Sequence, residues 1–123
     1  MVFAQTVNGL RRMIELGFRY TDPMPLTHFA FIVKGPGYDS KIHRASLDSA
    51  QFHTVVVGVS TVLEAGQVAT ELRDAGSQLI ELCGGFSAAD ADHIQALVGS
   101  DILIGVVRYS EEQERKLVEM LNL

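Results

Sequence analysis

The sequence predicts an α/β domain with a four-stranded, mostly parallel sheet and helices after the second, third and fourth strands. Three observations carry that expectation. Short β-branched and aromatic runs alternate with longer segments of helical period. The last three strands start at an even spacing, at His53, Gln78 and Ile102. Each is followed by a Ser or Thr with an acidic or amide residue three places on, the signature of a capped helix start.

The first strand is read over Thr27 to Val33, an aromatic and β-branched run. A glycine-rich loop, Lys34 to Asp39, ends it, and a weak helical stretch is expected near Ile42 to Ala50. His53 to Val59, with three successive valines, suits a strand covered on both faces. Thr61 and Glu64 form a capping box for the next helix, which buries Ala65, Val68, Ala69 and Leu72 and stops at Gly76. Gln78 to Cys83 is the third strand. Ser87 and Asp90 open the next helix, with Ile94, Leu97 and Val98 inward and Gly99 as the stop. Ile102 to Val107 is the fourth strand, and Ser110 with Gln113 caps a last helix buried through Leu117, Val118 and Leu121.

Two arrangements fit this alternation: an open three-layer sheet, or one half of a (βα)8 barrel completed by a second copy. Residues 24–123 form the single α/β domain. Residues 1–23 read as a helical extension, because Phe3, Val7, Leu10 and Ile14 share one helical face. Met24, directly before the first strand, offers an alternative start. As part of the native chain, the apolar stripe docks on the core or on a second subunit.

The bulk properties narrow the function. The chain has 123 residues, 47% hydrophobic and 20% charged, which suits one domain with a modest core. A homo-oligomer, a dimer or higher, would add burial. The formal net charge of −5 repels phosphate backbones, so nucleic acid is a poor partner. Cys83 is the only cysteine, which suits a reducing, cytoplasmic compartment. No apolar run reaches the roughly 18 residues that span a bilayer, so no membrane is expected. Neither metal-ligand spacings nor nucleotide-binding glycine motifs occur, and neither metal nor cofactor is expected.

In both arrangements ligands bind where strands end and helices begin. The strongest local signal there is Glu81-Leu82-Cys83-Gly84-Gly85-Phe86-Ser87. Period two puts Glu81 and Cys83 on one face, and a carboxylate inside a strand is costly unless paired or functional. Gly84 and Gly85 allow a ligand close to the backbone, where their N–H groups and the next helix start would hold an anion. The same terminus would favour a Cys83 thiolate nucleophile. Arg108 offers a bidentate clamp for a carboxylate or phosphate, or a structural partner for Glu81. In the first long loop, His43 suits proton transfer, and Arg44, Lys34 and Tyr38 are candidate ligand contacts. His28 and His53 start strands, the wrong end for a site, and His93 lies on a helix.

His43-Arg44, Val57-Gly58-Val59, the Glu81 to Phe86 run and Gly105-Val106-Val107-Arg108 together resemble a family of short, uncharacterised bacterial proteins, a domain of unknown function. The likeness runs from Thr27 to about Tyr109, and Glu-Leu-Cys-Gly-Gly-Phe is its most specific part. The resemblance implies an α/β fold and supplies no activity.

The leading expectation is an enzyme of isomerase, lyase or hydrolase type acting on a small anionic or carbonyl metabolite. Cys83, His43 and Glu81 would be its catalytic groups. A non-catalytic binder would use the same pocket. A structural oligomer would instead pair Glu81 with Arg108 and leave no cavity.

Overall fold

The computed structural model describes residues 25–122, so the helical extension expected over 1–23 lies outside the described residues. Five strands form one sheet: β1 (His28–Lys34), β2 (Arg44–Asp48), β3 (His53–Val59), β4 (Leu79–Leu82) and β5 (Leu103–Val106). Three helices are described: α1 (Val62–Asp74) after β3, α2 (Ala88–Val98) after β4 and α3 (Glu111–Leu121) after β5. The sheet order is β2-β3-β1-β4-β5. All neighbours are parallel except β2, which runs antiparallel to β3.

The fifth strand corrects the helical expectation for Ile42 to Ala50. Residues 44–48 pair with β3 from Arg44 opposite Val57 to Asp48 opposite His53. Ser49 closes the hairpin, its hydroxyl accepting the N–H groups of Gln51 and Phe52. All five residues of β2 are exposed, so this edge strand has no apolar run to announce it. The sheet order also removes the half-barrel. A barrel half keeps its strands in chain order, whereas here β1 lies between β3 and β4.

Burial is one-sided. Ala30 and Ile32 of β1, Val57 and Val59 of β3, and Ile80 and Leu82 of β4 are fully buried. They pack with Ala65, Val68, Ala69 and Leu72 of α1 and with Ile94 and Val98 of α2. Both crossovers, β3 to β4 and β4 to β5, advance in one direction across the sheet. Right-handed crossovers therefore place α1 and α2 on the same face. On the second face, Phe29, Phe31, Val33, Val56 and Leu79 are only half-buried, and Leu103 is exposed. Among the described residues the fully buried core occupies one side of the sheet.

Two helix expectations need correction. Leu97 is largely exposed, while Ile94 and Val98 carry the burial of α2. The last helix buries no residue: Leu117 is half-buried, and Val118 and Leu121 are exposed. α3 follows the outermost strand, so little of the sheet lies beneath it.

Truncating Ile32 to Ala should cost about 2–5 kcal/mol, because it opens a cavity at the centre of the packed face. Leu47→Ala, on the exposed edge strand, should cost about 0.5 kcal/mol or less. Denaturant unfolding of the two variants checks the contrast.

Candidate functional site

Sheet order decides which strand ends meet. From β1 the chain passes to β3 on one side, and it returns by α1 to β4 on the other. The loops after β1 and β4 therefore leave in opposite directions. Crevices of this kind, at the carboxyl ends of strands, are where open α/β sheets bind ligands. Lys34 ends β1 and Cys83 follows β4, and the Lys34 N–H lies 3.3 Å from the Cys83 sulfur across this crevice. Arg108 follows β5, the next strand along.

Residues Cys83 to Phe86 form a tight turn closed by the Phe86 N–H donating to the Cys83 carbonyl at 3.1 Å. Among the described residues neither Gly84 nor Gly85 donates its N–H to a protein acceptor. A side chain at Gly84 would come within 2.9 Å of the Tyr109 hydroxyl, so glycine is what lets Tyr109 lie against the turn. The Arg108 guanidinium donates to the Phe86 carbonyl at 2.9 Å and to the Val107 carbonyl at 3.0 Å. These bonds fix the fork to the turn while leaving its other N–H groups free. Carbonyls do not neutralise it, and among the described residues Arg108 has no carboxylate partner. The pairing with Glu81 is absent.

A cleft of about 540 Å³ opens at this place, lined by Gly84, Gly85, Phe86, Ser87, Arg108, Tyr109 and Glu114. Lys34 borders it, with its ammonium 5.2 Å from the centre of the Phe86 ring. The start of α2 is less open to an anion than its position suggests. Ser87 and Asp90 form a full capping box, so the Ser87 and Asp90 N–H groups are already bonded. Accepting the Ser87 N–H, with smaller help from the Lys34 charge, holds the Asp90 carboxyl below its usual range. Asp90 itself is thus the anion at this helix start. The free donors that line the cleft include the Gly84 and Gly85 N–H groups and the Arg108 guanidinium.

Tyr38, His43 and Arg44 gather elsewhere. They line a second hollow of about 290 Å³ with Val33, Ile42, Ala45, Val56 and Gly58. The Tyr38 ring lies where side chains at Gly35 and Gly58 would collide with it, at 2.9 and 2.8 Å. The His43 ring is 5.4 Å from the Tyr38 ring. Its Nδ1 accepts the Asp39 N–H at 2.8 Å, which places the proton of the neutral ring on Nε2. That nitrogen is then a donor. Arg44 is committed to Glu71 at 2.8 Å and to the Ser40 carbonyl.

The three expected catalytic groups are therefore dispersed. Cys83 is half-buried against the core, and the one polar contact of its sulfur among the described residues is the Lys34 N–H. Among the described residues no general base stands within hydrogen-bond reach of that sulfur. His43 lines the other hollow. Glu81 lies on the second face of the sheet, between Phe31 and Gly105, without a hydrogen-bond or ion-pair partner among the described residues. Tyr109 and Glu114 line the cleft and were not singled out by sequence. The step from Arg108 to Tyr109 was visible in the chain, but the approach of Tyr109 to Gly84 depends on the packing of β4 beside β5. His28 and His53 lie at strand starts, their rings 4.8 Å apart, and His93 is exposed. Among the described residues no cluster of three metal-ligating side chains occurs. No described helix is long and apolar enough to cross a membrane.

Glu64 ties the two loop regions together. Its N–H donates to the Thr61 hydroxyl, as a capping box requires. Its carboxylate turns instead to the N–H groups of Ser60 and Ser40, each at 2.8 Å, so only half of the expected box forms. Those two N–H bonds, Ser60 first, pull the Glu64 carboxyl from 4.5 down to about 2. A depressed carboxyl stabilises the fold above its unfolded value and loses that contribution as pH falls through the folded one. The tether should therefore weaken from about pH 4.5 towards 2. Glu64→Gln should show a shallower fall of melting temperature between pH 5 and 3 than the parent chain; equal slopes would assign acid sensitivity to other groups.

A family model matches residues 27–122, and its description is a family of unknown function, DUF6506. No curated protein and no solved structure matches the chain.

Proposed function

The chain belongs to that family of unknown function, and we propose from its own geometry that it binds a small anionic metabolite in the cleft beside the Gly84-Gly85 turn. One observation carries the reading. The Arg108 guanidinium is fastened to the Phe86 carbonyl, unneutralised, next to two backbone N–H groups that have no protein acceptor among the described residues. A carboxylate or phosphate accepts from a guanidinium and from backbone N–H groups at once. Lys34 adds a second positive charge at the rim. Glu114, also in the lining, suits a hydroxyl or ammonium group elsewhere on the same ligand.

Binding without catalysis fits this site better than isomerase, lyase or hydrolase chemistry. Nucleophilic catalysis needs a base near the nucleophile, and among the described residues the Cys83 sulfur meets only a backbone N–H. Proton transfer needs a group in the ligand's cleft, and His43 lines the other hollow. Glu114 is the one carboxylate among the described residues that line the cleft, and it sits on the sparsely packed α3.

A thermal-shift screen with inorganic phosphate and a panel of small mono- and dicarboxylates tests the proposal. A ligand in hundredfold excess over its dissociation constant adds about 2.7 kcal/mol of stability, which raises the melting temperature by several degrees. The parent chain and Cys83→Ser should both respond, and Arg108→Ala should not. A panel without a response, or an equal response in Arg108→Ala, would sink the reading. A response lost in Cys83→Ser would return the thiol to the site.

A further inference from the structure

We infer that β2 is the interface through which two copies of this chain pair, edge to edge and antiparallel, about a two-fold axis at Ser46. β2 ends the sheet, and among the described residues no strand pairs with its outer side. Edge strands are commonly blunted by proline, lysine or a bulge. Arg44–Asp48 contains neither proline nor lysine, and its register with β3 runs unbroken from end to end.

Three observations choose a second copy as the partner. The first is which backbone groups face out. At the two ends of the hairpin ladder the Gly58 N–H donates to the His43 carbonyl at 2.7 Å, and the Ser49 N–H donates to the Phe52 carbonyl at 2.9 Å. Hydrogen-bonded rungs alternate along an antiparallel pair, so His43, Ala45, Leu47 and Ser49 direct their backbone groups to β3. Arg44, Ser46 and Asp48 direct theirs to the open edge. The second is self-complementarity. A two-fold axis at Ser46 sets these three residues opposite Asp48 of the partner subunit, Ser46 of the partner subunit and Arg44 of the partner subunit. Every outward-facing residue then meets an outward-facing one, and each such pair exchanges two backbone hydrogen bonds. The pairs at the two ends are Arg with Asp, and opposite charges directly across a ladder stabilise it. A shift of the register by two residues in either direction loses both charge pairs. The third is that the side chains retain the groups this pairing uses. Arg44 commits Nε to the Ser40 carbonyl and Nη1 to Glu71, and Asp48 commits Oδ1 to His53. Among the described residues Arg44 Nη2 and Asp48 Oδ2 remain for the second copy. On the other face of the strand Leu47, exposed in the single chain, meets Ala45 of the partner subunit, beside the second hollow that Ala45 lines. The opposite sheet edge, Leu103–Val106, carries no charge to select a register. One strand from each side makes a small interface, so the dimer is weak and the dilute chain is monomeric.

Disulfide trapping of the full chain tests the axis. In a Cys83→Ser background, Ser46→Cys puts two thiols directly across it, where the Cα atoms of a hydrogen-bonded pair are about 5.5 Å apart and within disulfide reach. Leu47→Cys is the control, on the same exposed strand, but each thiol is offset from its twin by two residues along the strand and lies beyond that reach. In a glutathione redox buffer at near-millimolar chain, the inference predicts several-fold more disulfide dimer for Ser46→Cys than for Leu47→Cys. Charge exchange gives a second reading. Asp48→Arg sets Arg against Arg across the axis, and Arg44→Asp sets Asp against Asp. In sedimentation equilibrium the parent chain should rise from monomer to dimer mass between micromolar and near-millimolar concentration and level there, because a two-fold interface closes. Each charge variant alone should stay monomeric, and an equimolar mixture of the two should recover the dimer. Equal disulfide yields, a parent chain that stays monomeric or grows beyond the dimer, a charge variant that dimerises alone, or a mixture that does not associate would each overturn the inference.

Discussion

The rest of the molecule depends on the burial of one face of β1. Ala30 and Ile32 have no exposed surface, and the strands on either side meet α1 and α2 through residues buried as completely. Fully burying an aliphatic side chain is worth about 1.5–3 kcal/mol, so this row outweighs any single hydrogen bond in the domain. It also fixes position. With β1 central, the chain must leave to one side for β3 and return to the other for β4, and the ends of β1 and β4 become a place where loops part. The crevice follows from the packing.

What occupies that place is set by short polar contacts. The Lys34 N–H meets the Cys83 sulfur, the Phe86 N–H closes the turn and the Phe86 carbonyl holds Arg108. Capping determines which donors remain. The Asp90 carboxylate takes the Ser87 N–H and the Ser87 hydroxyl takes the Asp90 N–H, while the Gly84 and Gly85 N–H groups have no protein acceptor among the described residues. A cation held by neutral carbonyls keeps its full charge, whereas the same residue held by Glu81 would have been neutralised. The placement of Glu81 on the far side of the sheet thus matters to Arg108 as much as its own hydrogen bonds do.

Local pattern made much of this legible in the sequence. The run His53 to Val59 was read with the bounds of β3, and the Ser87–Asp90 box stands as expected, because both are short-range signals. β2 was not legible. An exposed edge strand has no burial period, and its partner is set by a hairpin turn that Ser49 closes with its side chain. Leu97 and the apolar residues of α3 were misplaced for a related reason. Periodicity shows that a helix has an apolar stripe, but the amount of sheet beneath it depends on strand order, which is a tertiary property. At the strand ends, sequence found the Gly84-Gly85 loop and Arg108 but grouped His43, Arg44 and Tyr38 with them. The separation into two hollows comes from β1 and β3 being neighbours while β5 lies beyond β4.

The central claim is that the unfilled donors beside Arg108 receive an anion. Backbone amide shifts of the full chain, followed while inorganic phosphate and then a small dicarboxylate are added, address it residue by residue. The account predicts saturable movement of the Gly84 and Gly85 amides and the Arg108 side chain, with the Asp39 and Gly58 amides of the other hollow unmoved. Movement confined to Asp39, His43 and Gly58, or no saturable movement at Gly84 and Gly85 with either anion, would contradict it.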